Sequence, residues 1–427
     1  MKIEDIKAIQ ILDSRGNPTL RVSVKADQKW GDFSVPSGAS TGTFEAHELR
    51  DGGKAYHGLG VEKAIKHIDN EIKEALVGQD VFDQKNIDRI LTELDGTENK
   101  SKLGANAILG VSGASTRLAS KMLNLPLYKY IRAIFEQDGK WQPDLKLSEN
   151  NFVMPKMFFN ILNGGKHADN NVDIQETMIM PNRDSVAENV KIAAEVYMTL
   201  KEIIKSKQLN VSLGDEGGFA PDLESNNKAL DLVLEAIVGS GYKPGEDVYL
   251  ALDVAANELY KDDSDEKYVL NGDSVSLSAV QLVSLYKEFL ATYPIISIED
   301  GLAEEDWDGW KMMSERIGDK VQLVGDDLFV TNVTRIQKGI DLNAANSVLI
   351  KMNQIGTITE TFDAIKLARA NGYKVFVSHR SGETEDSYIA DLVVGTGAGQ
   401  IKAGAPARGE RTSKYNRLLE IEKELNG

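Results

Sequence analysis

Five short apolar runs in the C-terminal part of the chain decide the fold: VYLALD (248–253), IISIED (295–300), VQLVGDD (321–327), SVLIK (347–351) and VFVSHRS (375–381). Each run ends in charged or polar side chains, and amphipathic helical patterns such as 357–371 lie between the runs. Continuous apolar runs are typical of parallel strands that helices cover on both faces. This alternation predicts an α/β fold whose C-terminal part is a (β/α)8-type barrel.

The side chains at the ends of these runs point to a common site. The carboxyl ends of barrel strands meet at one face of the barrel, where the active sites of barrel enzymes lie. A charge after a strand, taken alone, is more often a helix cap or a solvated loop residue. Several such residues in register favour a site instead. The candidates at this face are Asp253, Glu299, Asp326, Lys351, His379, Arg380, Ser381 and, in GQIKAG, Lys402.

Three of these candidates form a predicted metal site. Asp253, Glu299 and Asp326 offer carboxylate oxygens and neither nitrogen nor sulfur, which favours Mg²⁺ and disfavours zinc. The alternative is an acidic loop surface, which is ordinary in a chain of net charge −17. Lys351 would point into the same mouth as Lys402, and a second cation and a metal lower the pKa of a lysine, so Lys351 could act as a base. A solvated surface lysine is the competing interpretation.

Two glutamates complete the predicted chemistry. Glu216 lies in GDEGGFAP (214–221), where glycines permit a tight turn, and Glu176 ends NNVDIQE. Two close carboxylates do not both ionise cheaply, so one of them can stay protonated and act as an acid near neutral pH. An ordinary acidic turn is the alternative for Glu216.

The N-terminal part has a different pattern. Residues 3–35 alternate apolar and polar side chains around DSRGNP, which predicts strands and a turn, and a Gly/Ser loop follows at 37–42. Helical spacing then predicts the helices 61–77, 83–94 and 104–123. The predicted organisation is an N-terminal α+β domain (1–135), a linker (136–152) and the barrel domain (153–427).

Composition excludes several classes of protein. The chain has 427 residues, 41% of them hydrophobic, but no apolar run approaches the roughly 20 residues of a membrane span. A net charge of −17 argues against general nucleic-acid binding. The first residues lack the basic start and apolar stretch of a secretory signal, and the chain has no cysteine. We therefore expect a cytoplasmic protein, with an additional cell-surface or secreted pool left open.

Long motifs along nearly the whole chain give this sequence a family resemblance. With those already quoted, they are DSRGNPT (13–19), SGASTG (37–42), NGGKHADNNVDIQE (163–176), ALDVA (251–255), SIEDGL (297–302), GDDLFVTN (325–332), IKMNQIGT (350–357) and SHRSGETED (378–386). In these motifs the chain resembles enolases. The resemblance implies phosphopyruvate hydratase activity, the reversible dehydration of 2-phosphoglycerate to phosphoenolpyruvate in glycolysis and gluconeogenesis.

The resemblance also implies roles for individual residues. Lys351 matches the base that removes the C2 proton, and Glu216, with Glu176 beside it, matches the acid that protonates the leaving hydroxyl. Two Mg²⁺ ions per site are implied, which stabilise the aci-carboxylate, and the second ion arrives with the substrate. The metal ligands implied are Asp253, Glu299, Asp326 and, for the second ion, Ser40. The substrate contacts implied are His167, Gln175, Glu176, His379, Arg380, Ser381 and Lys402.

Assembly and two rival functions remain open at this level. The resemblance implies a homodimer or an octamer built from dimers. Arg21 and Glu420 carry charges opposite to those common in the family, which predicts a swapped ion pair across the dimer interface. The rival functions are another reaction of the enolase superfamily, such as acid-sugar dehydration, and a divergent paralogue with a mainly binding or surface role.

Overall fold

A computed structural model describes residues 1–38, 42–142, 152–261 and 268–427. The N-terminal part begins with an antiparallel sheet of three strands: β1 (Asp5–Leu12), β2 (Pro18–Ala26) and β3 (Lys29–Ser34). The Asp13 carboxylate accepts hydrogen bonds from the backbone N–H groups of Arg15 and Asn17, and Gly16 takes a φ of 79° that most residues avoid. The strands and the turn between them are therefore confirmed.

The helices of the N-terminal part pack on this sheet. The chain forms α1 (Glu62–His67), a π-helical turn over 68–72, α2 (Lys73–Leu76), α3 (Gln84–Asp95), α4 (Ala105–Met122) and α5 (Leu127–Glu136). Helix α4 crosses the sheet so closely that a Cβ at Gly113 would lie 2.5 Å from Phe33 Cδ2. A larger residue at position 113 would push the helix away from the strands.

The remaining strands form a closed barrel and one small hairpin. They are β4 (Lys156–Asn163), β5 (Glu176–Pro181), β6 (Val248–Asp253), β7 (Tyr268–Leu270), β8 (Val275–Leu277), β9 (Ile295–Glu299), β10 (Gln322–Gly325), β11 (Ser347–Ile350), β12 (Lys374–Ser378) and β13 (Gly399–Lys402). The barrel order is β10-β11-β12-β13-β4-β5-β6-β9, and β7 and β8 pair with each other. The predicted barrel is confirmed.

Helices follow most barrel strands. They are α6 (Val186–Ser206), α7 (Asn226–Gly239), α8 (Ala279–Thr292), α9 (Trp307–Ile317), α10 (Val333–Leu342), α11 (Met352–Ile355), α12 (Ile358–Ala370), α13 (Tyr388–Thr396) and α14 (Gly409–Asn426). Several begin at side-chain caps, as where Asn332 accepts from the backbone N–H of Thr334 and Thr357 from that of Glu360. Among the described residues, no helix is both long and apolar enough to cross a membrane.

One barrel strand runs against the others. Strand β5 is antiparallel to β4 and β6, whereas the other neighbouring strands of the barrel are parallel. The segment that joins β4 to β5 contains only a short 3-10 helix (Gly165–His167), whereas a parallel crossover is usually made by an α-helix. The reversal places Glu176, the first residue of β5, at the same end of the barrel as Asp253, the last residue of β6.

The predicted domain boundaries stay a prediction. Helix α5 ends at Glu136 and β4 begins at Lys156, while 143–151 of the predicted linker lie outside the described residues.

Candidate active site

The predicted site residues converge at the carboxyl end of the barrel. The cavity there is lined by His167, Gln175, Glu176, Glu216, Asp253, Ala255, Asp300, Asp326, Asp327, Lys351, Ser378, His379, Arg380, Ser381 and Lys402. Glu299 lies beside this group, 2.8 Å from Lys402. The predicted residue Ser40 lies outside the described residues.

Lys402 occupies the centre of a buried acidic cluster. Its Nζ lies 2.8 Å from Glu299 Oε1, 3.2 Å from Glu176 Oε1 and 3.5 Å from Asp253 Oδ2. Burial alone would lower the pKa of Lys402, but these carboxylates outweigh it and raise the pKa well above the ordinary value.

The three predicted metal ligands provide a donor set that fits a hard divalent cation. Asp253 and Glu299 are register partners on β6 and β9, and Asp326 follows the adjacent strand β10. All three carboxylates are buried, and Glu299 Oε2 has no hydrogen-bond partner among the described residues. Burial and the Asp253 carboxylate raise the pKa of Glu299 well above its usual range. A bound divalent cation would relieve this excess of negative charge, and an all-oxygen set suits magnesium.

Asp300 is an acidic residue that strand-end reasoning missed. Its two carboxylate oxygens accept the backbone N–H groups of Asp326 and Asp327, each at 2.8 Å, and so fix the loop that carries Asp326. Single carboxylate oxygens of Asp300, Asp326 and Asp327 lie within 4.8 Å of one another. Burial raises the pKa of Asp327 to about 8. The position of Asp300 directly after Glu299 in the sequence was a signal that it belongs to the site.

Lys351 is paired with an acid in this structure. Its Nζ donates to Asp326 Oδ2, and Gln354 donates to Asp326 Oδ1 at 2.8 Å. Burial lowers the pKa of Lys351, and so do Arg380 and Lys402, but the Asp326 carboxylate reverses the balance and the pKa is raised. This differs from the lowered pKa expected from the sequence, because that expectation counted the neighbouring cations and not the acid in contact.

The pKa values of the two glutamates of the site are shifted in opposite directions. Glu216 Oε2 accepts from Asn160 at 2.9 Å and lies 3.2 Å from His379 Nε2, and its Oε1 lies 3.7 Å from His167 Nδ1. Burial favours a raised pKa, yet the two imidazoles bring the pKa of Glu216 well below its usual value. Burial and the charge of Glu216 raise the pKa of Glu176 well above its usual value.

Arg380 is held by an acid from the N-terminal part. Its Nη1 and Nη2 donate to the two Glu45 oxygens at 2.9 and 3.1 Å, and Nη1 also donates to Asn353 Oδ1 at 3.1 Å. Both partners are almost fully buried. Glu45 was missed because it follows no barrel strand. Gln175, at the other side of the cavity, donates to Asp253 Oδ2 at 3.4 Å.

Two family models match the chain. The model described as the N-terminal domain of enolase matches residues 3–131, and the model described as the C-terminal TIM barrel domain of enolase matches residues 151–427. Together they cover the parts of the chain that carry the sheet, the barrel and the cavity. The chain therefore belongs to the enolase family, and it is a lyase-type enzyme of the enolase superfamily.

Proposed function

We propose that this chain is a phosphopyruvate hydratase, which catalyses the reversible dehydration of 2-phosphoglycerate to phosphoenolpyruvate. One observation carries the proposal: the candidate base and the candidate acid lie on opposite sides of the mouth. Lys351 follows β11 and Glu176 begins β5, and four steps around the eight-stranded barrel separate these strands. A substrate between them could lose a proton on one face and a hydroxyl on the other.

Lys351 is the proposed base for the C2 proton. To accept that proton, its amine must lose the contact with Asp326 that keeps it charged. If Asp326 instead served as a metal ligand, Arg380 and Lys402 would lower the pKa of Lys351. Asp253, Glu299 and Asp326 would hold Mg²⁺, which supplies, when bound, positive charge that stabilises the dianionic aci-carboxylate.

The glutamate pair is the proposed acid. Glu176 would hold the proton, as its raised pKa supports. It would pass the proton to Glu216, since carboxylate oxygens of the two residues lie within 4.8 Å of each other, and Glu216 would then protonate the leaving hydroxyl. Arg380 and Ser381 would bind the phosphate, where a guanidinium fork matches the geometry of an oxyanion. His167, Gln175, His379 and Lys402 would bind the rest of the substrate, and Ser40 would bind a second Mg²⁺.

The test is phosphoenolpyruvate formation from 2-phosphoglycerate, followed by absorbance, with Mg²⁺ and with chelator. We expect magnesium-dependent turnover by the wild type and a loss on the order of 10²- to 10⁴-fold in Lys351→Ala, because a positioned general base contributes about that factor. Lys374→Ala is the matched control, since Lys374 begins β12 at the opposite end of the barrel and is exposed. A wild type that is inactive under both conditions would overturn the proposal and favour the binding role.

The proposed assembly, a homodimer or an octamer of dimers in the cytoplasm, has its own test. Arg21 and Glu420 are both exposed, and Arg21 Nε donates to Ser34 Oγ at 3.2 Å while Glu420 accepts from Arg417 at 3.0 Å. Arg21→Glu would place like charges opposite each other if the two positions pair across the interface. We expect weaker dimerisation by sedimentation, restored in Arg21→Glu/Glu420→Arg. Unchanged dimerisation would contradict the pairing.

A further inference from the structure

One buried arginine on α14 joins three loops of the site. Arg411 has no exposed surface, and its terminal nitrogens contact groups from the loops at 14, 215 and 379–381. Nη1 donates to the backbone oxygen of Arg380 at 2.6 Å and lies 2.7 Å from His379 Nδ1. Nη2 donates to the backbone oxygens of Ser381 at 2.6 Å and Asp215 at 3.0 Å. The proposed phosphate loop and the loop of Glu216 are thus fixed to a single guanidinium.

The backbone leaves room for this side chain at Gly404. A Cβ at this position would lie 2.6 Å from Arg411 Cδ and 2.8 Å from the backbone oxygen of Glu216. Gly404 also has a φ of 87°, which side chains other than glycine rarely adopt. The close approach of Arg411 to the site is therefore built into the chain after β13.

The contact between Arg411 and His379 determines which imidazole nitrogen carries hydrogen. An arginine guanidinium has donors only and stays charged, so a nitrogen in hydrogen-bond contact with it must accept. His379 Nδ1 is therefore the unprotonated nitrogen. Burial, aided by Arg411 and opposed by Glu216, lowers the pKa of His379 to about 4, so the ring is neutral near pH 7. A neutral ring without hydrogen on Nδ1 carries it on Nε2.

The protonated nitrogen faces the acid. His379 Nε2 lies 3.2 Å from Glu216 Oε2 but has no hydrogen bond of good geometry among the described residues. A buried N–H donor in this position faces the cavity beside the proposed acid. Without Arg411, the other tautomer could place a lone pair there, which would repel the Glu216 carboxylate.

We propose that Arg411 is a positioning residue that fixes His379 as the Nε2-protonated tautomer, so that a hydrogen-bond donor faces Glu216 and the substrate oxygen beside it. The effect on turnover rests on the proposed function, whereas the tautomer does not. The same guanidinium sets the distance between the Glu216 loop and the loop of Arg380 and Ser381.

The direct test is nitrogen NMR of the wild-type protein labelled with ¹⁵N-histidine at pH 7. The chain has 5 histidines, and the His379 signals are assigned by their loss in His379→Asn. We expect one protonated nitrogen, Nε2, and an unprotonated Nδ1. Protonation at Nδ1, or at both nitrogens, would overturn the proposal. This measurement needs no active enzyme and no Arg411 variant that folds.

The second test compares Arg411→Gln with Arg417→Gln, the same change on the same helix; glutamine offers an acceptor as well as a donor and so does not dictate the tautomer. Arg417 pairs with Asp391 at 3.0 Å and lies outside the cavity. Because small misplacements of reacting groups lower rates by as much as about 10²-fold, we expect a loss of that order in kcat/KM for Arg411→Gln, mostly in kcat, and a shifted tautomer ratio. Arg417→Gln should leave kcat/KM close to the wild-type value, because Arg417 lies outside the cavity.

These outcomes separate a positioning role from a structural one. A folded Arg411→Gln with the wild-type tautomer and kinetics would overturn the proposal, and equal losses in both variants with unchanged tautomers would show a structural role only. A wild type that does not convert 2-phosphoglycerate would overturn the proposed function and leave the NMR result valid.

Discussion

Two neighbouring layers of the barrel interior differ in chemistry although the same strands build both. The inner layer is apolar and consists of Phe158, Met178, Met180, Ala251, Val324, Leu349 and Phe376. Two residues further toward the mouth, the side chains are acidic, basic or polar, as in the pairs Ala251 and Asp253, Val324 and Asp326, and Leu349 and Lys351.

The spacing follows from strand geometry, because every second side chain points to the same face. The apolar layer is stabilised by burial alone. The charged layer is stabilised by pairs such as Lys351 with Asp326, whereas the pKa values of Glu299 and Asp300 lie well above their ordinary values because burial and nearby acids disfavour their charge. The comparison shows that the packed apolar layer stabilises this barrel, whereas the buried charges of the site lower its stability.

The largest effect on turnover is expected from a substitution in the charged layer, at Glu299. Glu299→Gln removes a carboxylate whose raised pKa shows that its charge is disfavoured in the fold. We expect turnover to fall by roughly 10³-fold, because this carboxylate is a proposed metal ligand whose cation stabilises the developing charge. The unfolding free energy measured in chelator should stay the same or rise.

Glu305→Gln is the matched control for this change. Glu305 lies in the loop after β9 and is exposed, so turnover and stability should both stay near the wild-type values. A loss of stability in Glu299→Gln as large as that of a core truncation would contradict the comparison of the layers.

A smaller effect is expected in the apolar layer. Leu349→Ala leaves a cavity between the strands and should lower the unfolding free energy by about 2 to 5 kcal/mol. The folded variant should bind Mg²⁺ as the wild type does, measured by titration calorimetry. Leu213→Ala serves as the control, since Leu213 is 43% exposed and its truncation should have little effect. Loss of Mg²⁺ binding by folded Leu349→Ala would show that the two layers are not independent.

The smallest expected effect concerns a buried acid with neutral partners. Asp88 on α3 accepts from Thr359 N at 2.9 Å and Thr359 Oγ1 at 2.7 Å, which joins α3 to the start of α12. Burial raises the pKa of Asp88 from 3.8 to about 6. Because the folded pKa is the higher one, its contribution to stability is complete below about pH 3.8 and is lost as the pH rises through about 6.

We therefore expect wild-type stability to decline relative to Asp88→Asn between those pH values, by at most about 3 kcal/mol. Denaturant unfolding at several pH values measures the difference, and Glu93→Gln, which changes an exposed acid of the same helix, is the control. Parallel pH profiles of wild type and Asp88→Asn would contradict the prediction.

The strand-end residues could be predicted from the sequence because apolar runs and barrel geometry fix where strands end. Asp253, Glu299, Asp326, Lys351 and Lys402 were found in this way. The reversed strand β5 could not be read from an apolar run, although the polar segment before Glu176 has no helical periodicity and was a usable signal.

Residues outside the strand ends could not be found by that reasoning. Glu45 comes from the N-terminal part and Arg411 from a helix, so neither follows the strand pattern. The opposite pKa shifts of the two glutamates could not be predicted from the sequence either, since they depend on the distances from His167 and His379 to Glu216. Such contacts join residues that are far apart in the chain.

The closed barrel has a consequence for aggregation. A closed sheet presents no unpaired strand edge to another chain, whereas the three-stranded sheet has edges at β1 and β3, and among the described residues β1 pairs only with β2. That strand exposes Ile9 and Leu12, but the exposed Lys7 lies between its apolar residues. Charge on an edge strand opposes its addition to a neighbouring sheet, so Lys7 disfavours edge-to-edge association at β1.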